Sequence, residues 1–206
     1  MIIWMIVIAM HVAMFFAPLS IIGVAIIDVA WLYMIFSVPR NRAYGRYVWI
    51  HKLRVYQAGR QLGLSAIRLI LHDWDKLLPS NWLAYSEQFY TYSGYKTINS
   101  KEYSQPFKQE WNAHQKKNRH HWQYHIMTWD HGGEEVLEMS FEDAMEMLAD
   151  WVGAGCAIKG TTVNKGNMFE ETREWYRKNS DNMKLHDSTR ALIEEVMQYD
   201  APEQEN

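Results

Sequence analysis

The sequence predicts an all-α protein with a small β-hairpin insertion, preceded by an apolar N-terminal helical hairpin. Three observations predict this. Residues 1–36 are almost wholly apolar, with Asp28 as their one formal charge. Beyond them, apolar residues recur at helical spacing in segment after segment. The period changes once, around Asp130-His131-Gly132-Gly133, where a turn separates two short runs with strand character.

The N-terminal segment reads MIIWMIVIAMHVAMFFAPLSIIGVAIIDVAWLYMIF. A membrane span needs about 20 largely apolar residues. Leu19 to Val38 meets that length and is interrupted only by Asp28; Met1 to Ala17 is slightly short and contains His11, with Pro18 between the two. A secretory signal would begin basic and give way early to polar sequence, whereas this segment lacks the basic start and stays apolar too long. Arg40, Arg42, Arg46, Lys52 and Arg54 follow at once, so the positive-inside rule keeps that flank in the cytoplasm. The expectation is a membrane anchor over residues 1–38, a hairpin bent near Pro18 or one long tilted span, with the lipid bilayer as partner. The folded part, 39–200, then lies on the cytoplasmic side, and 201–206 is a flexible tail. The competing reading is a pair of helices buried in a soluble core, with Asp28 as a partnered acid.

Within the folded part, Tyr44 to Leu62 carries Val48, Leu53, Val55 and Leu62 at helical spacing, and Ser65 can cap a helix over Ala66 to Leu71. Asn81 to Tyr92 is an aromatic-rich helix, followed by a polar loop to Gln105. Pro106 opens a helix to about His121. Trp122 to Trp129 and Glu134 to Met139 form the hairpin. Ser140 and Asp143 make a capping-box-like start for Phe141 to Val152, which Gly153 and Gly155 end. Phe169 to Lys178 and Ser188 to Tyr199 are the last helices.

Charge limits the functional classes. The net charge is −3, of which Asp28 accounts for one, leaving −2 for residues 37–206. No basic face is indicated, and no nucleic-acid binding is expected. The single Cys156 rules out an internal disulfide framework. Seven of the nine histidines lie between His51 and His131, and this clustering points to metal chemistry. His51 lies mid-helix. His72-Asp73-Trp74-Asp75-Lys76 sets an imidazole beside a carboxylate at a helix end, where both can reach one ion. His114, His120, His121 and His125 fall within twelve residues, and Asp150 lies late in a helix. Imidazole nitrogen together with carboxylate oxygen suits borderline divalent metals. Asp143 is explained by capping, which leaves Asp150 as the late carboxylate. On a single helix from Pro106 to His125, His114, His121 and His125 would share a stripe about 40° wide, as would a solvated polar face including Asn118. No Walker loop, dinucleotide fingerprint, nucleophile elbow or HExxH occurs.

These residues resemble the signature of the HD superfamily of metal-dependent phosphohydrolases: a His on one helix, a His-Asp doublet on the next, and an Asp much later. The matching positions are His51, His72 with Asp73, and Asp150, and the H-D-x-x-K spacing ends at Lys76. The chain more closely resembles an uncharacterised family of phage and bacterial proteins in the stretches HKLRVYQAGRQLGL, LILHDWDK, NRHHWQYH and EMLADWVGAG, between His51 and Cys156. Two positions depart from the pattern: Asp75 stands where a small hydroxyl residue is frequent, and His125 where an aromatic is. The resemblance implies an HD-like helical domain and a divalent ion (Mn, Fe, Zn, Ni, Co or Mg) held by His51, His72, Asp73 and Asp150. His114 and His121 would hold a second ion, with His120 in reserve. Catalysis would fall to Asp73 and Lys76, with Asp73 or Asp75 accepting a proton, acting on a nucleotide or other small phosphate ester. The alternatives are a non-enzymatic phage membrane protein that binds a host partner, and a di-iron oxygenase on an HD-like fold.

Overall fold

The computed structural model describes residues 21–97, 102–164 and 166–199. It is mostly helical with one two-stranded antiparallel hairpin, the expected class. The helices are α1 (Ile21–Ser37), α2 (Pro39–Gln61), α3 (Ala66–Leu71), α4 (Pro79–Phe89), α5 (Gln105–Lys117), α6 (Phe141–Lys159), α7 (Glu170–Asn179) and α8 (Asp187–Met197). The strands β1 (Ile126–Thr128) and β2 (Glu134–Val136) lie between α5 and α6. Two compact units make up the chain: Met1–Arg46 with Leu77–Phe107, and Tyr47–Lys76 with Lys108–Asn206. No boundary falls at residue 38, where the anchor was expected to end.

The membrane anchor expected over residues 1–38 is not borne out. Among the described residues no helix is long and apolar enough to cross a membrane. Pro39 closes off α1 because proline disfavours helical backbone in the residue before it. Trp31 packs edge-on against Trp82 at 6.0 Å between ring centroids. The bend at Pro18, His11 and the tail 201–206 lie outside the described residues.

The first unit is held by aromatic rings. Tyr44, Trp82, Tyr85, Phe89 and Phe107 form a chain of edge and tilted contacts with centroids 4.9–6.1 Å apart. Such pairs add about 0.5–1.5 kcal/mol each beyond their buried area. Ser86 donates to Asn41 Oδ1 (2.8 Å) within the same packing. Pro79 at the start of α4 moves that helix's beginning two residues ahead of the expected Asn81.

The second unit has an apolar core of Val55, Leu69, Leu148, Ile193 and several methionines, including Met145, Met147 and Met197. Helix α6 runs seven residues beyond the expected Val152, to Lys159, and the reason is a glycine that serves packing rather than termination. A Cβ at Gly153 would lie 2.4 Å from Val55 Cγ2 and 2.8 Å from the Val55 backbone nitrogen. The true cap is Gly160, left-handed at φ 71°. Ser140 caps the other end by accepting from the Asp143 N–H, as the sequence suggests. The hairpin pairs Ile126 with Val136 and Thr128 with Glu134. It is shorter than expected, because Trp122–His125 forms a 3₁₀ turn that carries the His125 ring inward, where Nε2 bonds the Arg119 carbonyl (2.8 Å).

Candidate metal centre

Four segments of the second unit converge on one carboxylate. On α2, His51 lies on the same buried face as Val48, Val55 and Ala58, so apolar burial around it turns the imidazole inward. Helix α3 ends at His72, and Asp73 follows in the left-handed region at φ 53°. Asp tolerates that conformation better than most residues. It ends the helix and lets a 3₁₀ turn, Trp74–Leu77, bury Asp75 and Lys76. Lys52, also buried, donates to the His72 carbonyl and pins the peptide that joins the doublet. Helix α5 supplies His114. It ends at Lys117 rather than at the expected His121, and a turn closed by His121 N–H to Asn118 O (3.1 Å) brings both His120 and His121 inward. On α6, Asp143, Glu146 and Asp150 are spaced 3 and 4 apart, on one face.

Asp73 is 1% exposed, and its two oxygens face different ligand sets. Around Oδ2, four atoms close a ring. His51 Nε2 lies 3.2 Å from Asp73 Oδ2 and 3.2 Å from Asp150 Oδ1; His72 Nε2 lies 3.3 Å from each of the same oxygens. Nitrogen and oxygen alternate around the ring. Around Oδ1, His120 Nε2 approaches to 3.2 Å and His114 Nε2 to 3.4 Å, and His121 Nε2 lies 2.9 Å from His114 Nε2. Metal–ligand bonds of about 2.0–2.2 Å imply edges between neighbouring ligand atoms of about 3.0 Å in an octahedron and about 3.4 Å in a tetrahedron. The observed separations match these edges. Asp73 Oδ1 and His120 Nε2 are buried without a hydrogen bond of normal geometry. Such atoms are rare unless an ion or water claims them.

The far sides of the His72, His120 and His114 rings face carboxylates, whereas His51 Nδ1 is buried without a hydrogen bond. Glu146 Oε1 accepts from His72 Nδ1 (2.9 Å) and lies 3.4 Å from His120 Nδ1, while Arg68 Nε donates to Glu146 Oε2 (2.5 Å). Asp75 Oδ2 holds His114 Nδ1 (2.8 Å), and Asn118 donates to Asp75 Oδ1 (3.0 Å). Lys76 Nζ donates to Asp73 Oδ2 (2.6 Å). Arg68 and Arg119 both bond Asp143, whose carboxylate serves this outer layer as well as the helix start.

Electrostatics follow from burial and neighbours. Burial works against a charged Asp73, yet the positive charge of His72, Lys76 and His114 outweighs it and holds the carboxyl well below the usual range. Asp150 and Glu146 are likewise lowered: burial opposes ionisation, but bonds from His51 and His72 in the first case, and from His120 and His72 in the second, prevail. His72 is raised well above an ordinary imidazole because Asp73, Asp150 and Glu146 overcome its burial. His120 is raised too, its burial and the charge of His72 being overcome by Asp73 and Glu146. His121 is pushed well down by burial and the charge of His120.

All six expected ligands, His51, His72, Asp73, His114, His121 and Asp150, come together. His120, expected only as a reserve ligand, belongs to the cluster fully. His125 does not. Glu146 was not among the expected residues, although its place between Asp143 and Asp150 on one helical face was the available signal. Lys76, expected beside a substrate, bonds the central carboxylate.

Fold and site together define a mostly helical protein with a buried histidine–carboxylate cluster able to hold metal ions. Residues 40–199 match the family described as "Family of unknown function (DUF5662)", and the chain belongs to that family. No curated protein and no solved structure matches it. The comparisons name no hydrolase and no HD protein, so the hydrolase and HD labels expected from the sequence find no support there.

Proposed function

We propose that this chain is a metal-dependent phosphohydrolase with a two-ion centre, acting on a nucleotide or other small phosphate ester. The observation that carries the reading is the Asp73 carboxylate, with one oxygen in each of two ligand sets. That arrangement suits a pair of ions about 3.5–4 Å apart, the spacing used to clamp both oxygens of an in-line displacement at phosphorus. The H…HD…D order of His51, His72, Asp73 and Asp150 supports the same class by resemblance. His51, His72, Asp73 and Asp150 would hold one ion, and Asp73, His114, His120 and His121 the other. When bound, the ions supply Lewis-acid polarisation and activate water near neutral pH.

The chain's own groups do the rest. Glu146 and Asp75 fix which nitrogen of His72, His120 and His114 faces inward. Lys76 keeps a positive charge beside Asp73, where it neutralises charge developing on phosphoryl oxygens. Asp150, its side chain 14% exposed against none for Asp73, is the more accessible of the two ligand carboxylates. The test is metal analysis after mild purification, then turnover of nucleoside mono- and triphosphates and cyclic dinucleotides with Mn²⁺, Co²⁺, Ni²⁺ or Mg²⁺. Stoichiometric metal with ester cleavage is the expected result. Metal loading without cleavage of any phosphate ester refutes hydrolysis, and iron loading with oxygen uptake replaces it by oxidation.

A further inference from the structure

Glu146 is set apart from the other groups of the outer layer by what it touches. Its Oε1 lies 2.9 Å from His72 Nδ1 and 3.4 Å from His120 Nδ1. Those two imidazoles stand on opposite sides of Asp73, one in each ligand set, with rings 4.3 Å apart at 38°. Asp75, by contrast, holds His114 alone among the ligand imidazoles. Arg68 occupies the second oxygen of Glu146 through its Nε, so the carboxylate cannot turn toward one histidine at the other's expense.

The alternative role for this trio is a third ion held by both Nδ1 atoms and Glu146. The Nε2 atoms argue against it, since both already face Asp73, at 3.3 and 3.2 Å. An imidazole that gives one nitrogen to an ion donates its other N–H to a carboxylate or carbonyl, and that bond fixes tautomer and ring angle.

We infer that Glu146 is a positioning residue that couples the two ion sites, so that an ion entering either set orients the histidine of the other. The inference rests on the two-ion reading above. An ion on His72 Nε2 requires the Nδ1–H tautomer and draws Glu146 Oε1 into that bond. The same oxygen then stands ready for the His120 Nδ1–H, which presents His120 Nε2 to the second ion. The two binding steps are therefore linked through one oxygen, and removing Glu146 weakens both together.

The experiment is calorimetric titration of the chelator-treated full chain with Mn²⁺ and with Co²⁺, in wild type, Glu146→Gln, Glu146→Asp and Asp75→Asn. Orienting partners of this kind are worth about 10–100-fold in metal affinity. Glu146→Gln should weaken both binding steps by that factor and remove their cooperativity. Glu146→Asp, which keeps the charge, should recover part of the loss. Asp75→Asn should weaken one step only. Long-range ¹H–¹⁵N spectra of the imidazoles in the chelated chain supply a readout that a merely structural role would not move: the Nδ1 signals of His72 and His120 shift together in Glu146→Gln, and that of His114 stays. If Glu146→Gln does not fold, Glu146→Asp and Arg68→Met carry the same test, because each disturbs the shared oxygen. Two ions bound with only one weakened, or neither, overturns the coupling and leaves the two-ion reading standing. A wild type that binds no Mn²⁺ or Co²⁺ overturns both.

Discussion

Replacing Asp73 by Asn should empty both ion sites at once, whereas replacing Asp150 by Asn should empty one. Asparagine keeps the shape and tolerates the φ of 53°, so the backbone turn survives while the anionic charge goes. The contrast follows from placement: Asp73 gives an oxygen to each ligand set, Asp150 to one. A ligand present at 100 times its Kd stabilises a fold by about 2.7 kcal/mol per site. For a chain of this size 1 kcal/mol moves the melting temperature by about 2–4 °C. Each occupied site is therefore worth about 5–11 °C between chelated and metal-loaded protein. Wild type should show two such increments, Asp150→Asn one and Asp73→Asn none. Metal per chain, measured by plasma emission on the same samples, should follow the same order. The unloaded Asp73→Asn chain should itself melt lower than unloaded wild type, because His72 and Lys76 lose a buried counter-charge, a loss of about 3–5 kcal/mol when one partner of such a pair is removed. An Asp73→Asn protein that retains one tightly bound ion would refute the shared-carboxylate arrangement.

Lys76→Met should leave metal content unchanged and slow phosphate-ester turnover by about 10²–10³, the usual cost of one lost charge-stabilising donor; a metal-depleted variant would instead show that Lys76 holds the site together. Gly153→Ala should destabilise the second unit by about 1–3 kcal/mol through overpacking, since the new Cβ meets the Val55 backbone nitrogen at 2.8 Å. Denaturant melts would record it, and an unchanged midpoint would mean the two helices can separate freely. His72 and His120 have raised pKa values in the folded chain, so in chelated protein their stabilisation is complete below the unfolded value of about 6.5 and fades as pH rises through the raised values. Metal loading displaces those protons, so the gap in melting temperature between loaded and chelated protein should widen from pH 6 to pH 9; a constant gap counts against it.

Much of this was legible in the chain. Helical periodicity, the Ser65 and Ser140 caps and the two-glycine turn gave element types and most starts, because those signals are local. The residues of the cluster were legible from the density of histidines, the His72-Asp73 doublet and the resemblance of their order to the HD signature. The failures share a cause: each needed to know what lay opposite. Gly153 looks like a helix end until Val55 is known to sit against it. His114, His121 and His125 share a stripe only on an unbroken helix, and the turn after Lys117 removes His125 from the cluster while admitting His120. Residues 21–37 are apolar enough to suggest a span, yet the helix ends ahead of Pro39 and Trp31 packs against Trp82. Asp143 was correctly assigned to the helix start, but its carboxylate also anchors Arg68 and Arg119, a second role that capping concealed.

A buried polar network can exist for stability alone, and the direction in which its bonds are satisfied separates that case from a ligand shell. In a purely structural network every inward atom finds a donor or acceptor, because an unmet group costs about 1–3 kcal/mol. Here most of the outer atoms are satisfied, His51 Nδ1 excepted, and of the inner ones Asp73 Oδ2 is satisfied by Lys76. Nδ1 of His72 and of His114 each bond a carboxylate, Nδ1 of His120 faces one, and Arg68 and Asn118 complete those carboxylates in turn. The inner atoms face one another instead. Asp73 Oδ1 and His120 Nε2 are left without a proper hydrogen bond, and two Nε2 atoms, those of His114 and His121, meet at 2.9 Å, where at most a single proton could lie between them. Asp73, Asp75, Glu146 and Asp150 are lowered and His72 and His120 raised, so the field around Asp73 favours positive charge, while His121 beside His120 is pushed down. Protons meet that demand in part. A divalent cation would meet it with more charge and would also accept the lone pairs that no proton arrangement can satisfy together, and on the proposed reading the outward bonds then support ligands.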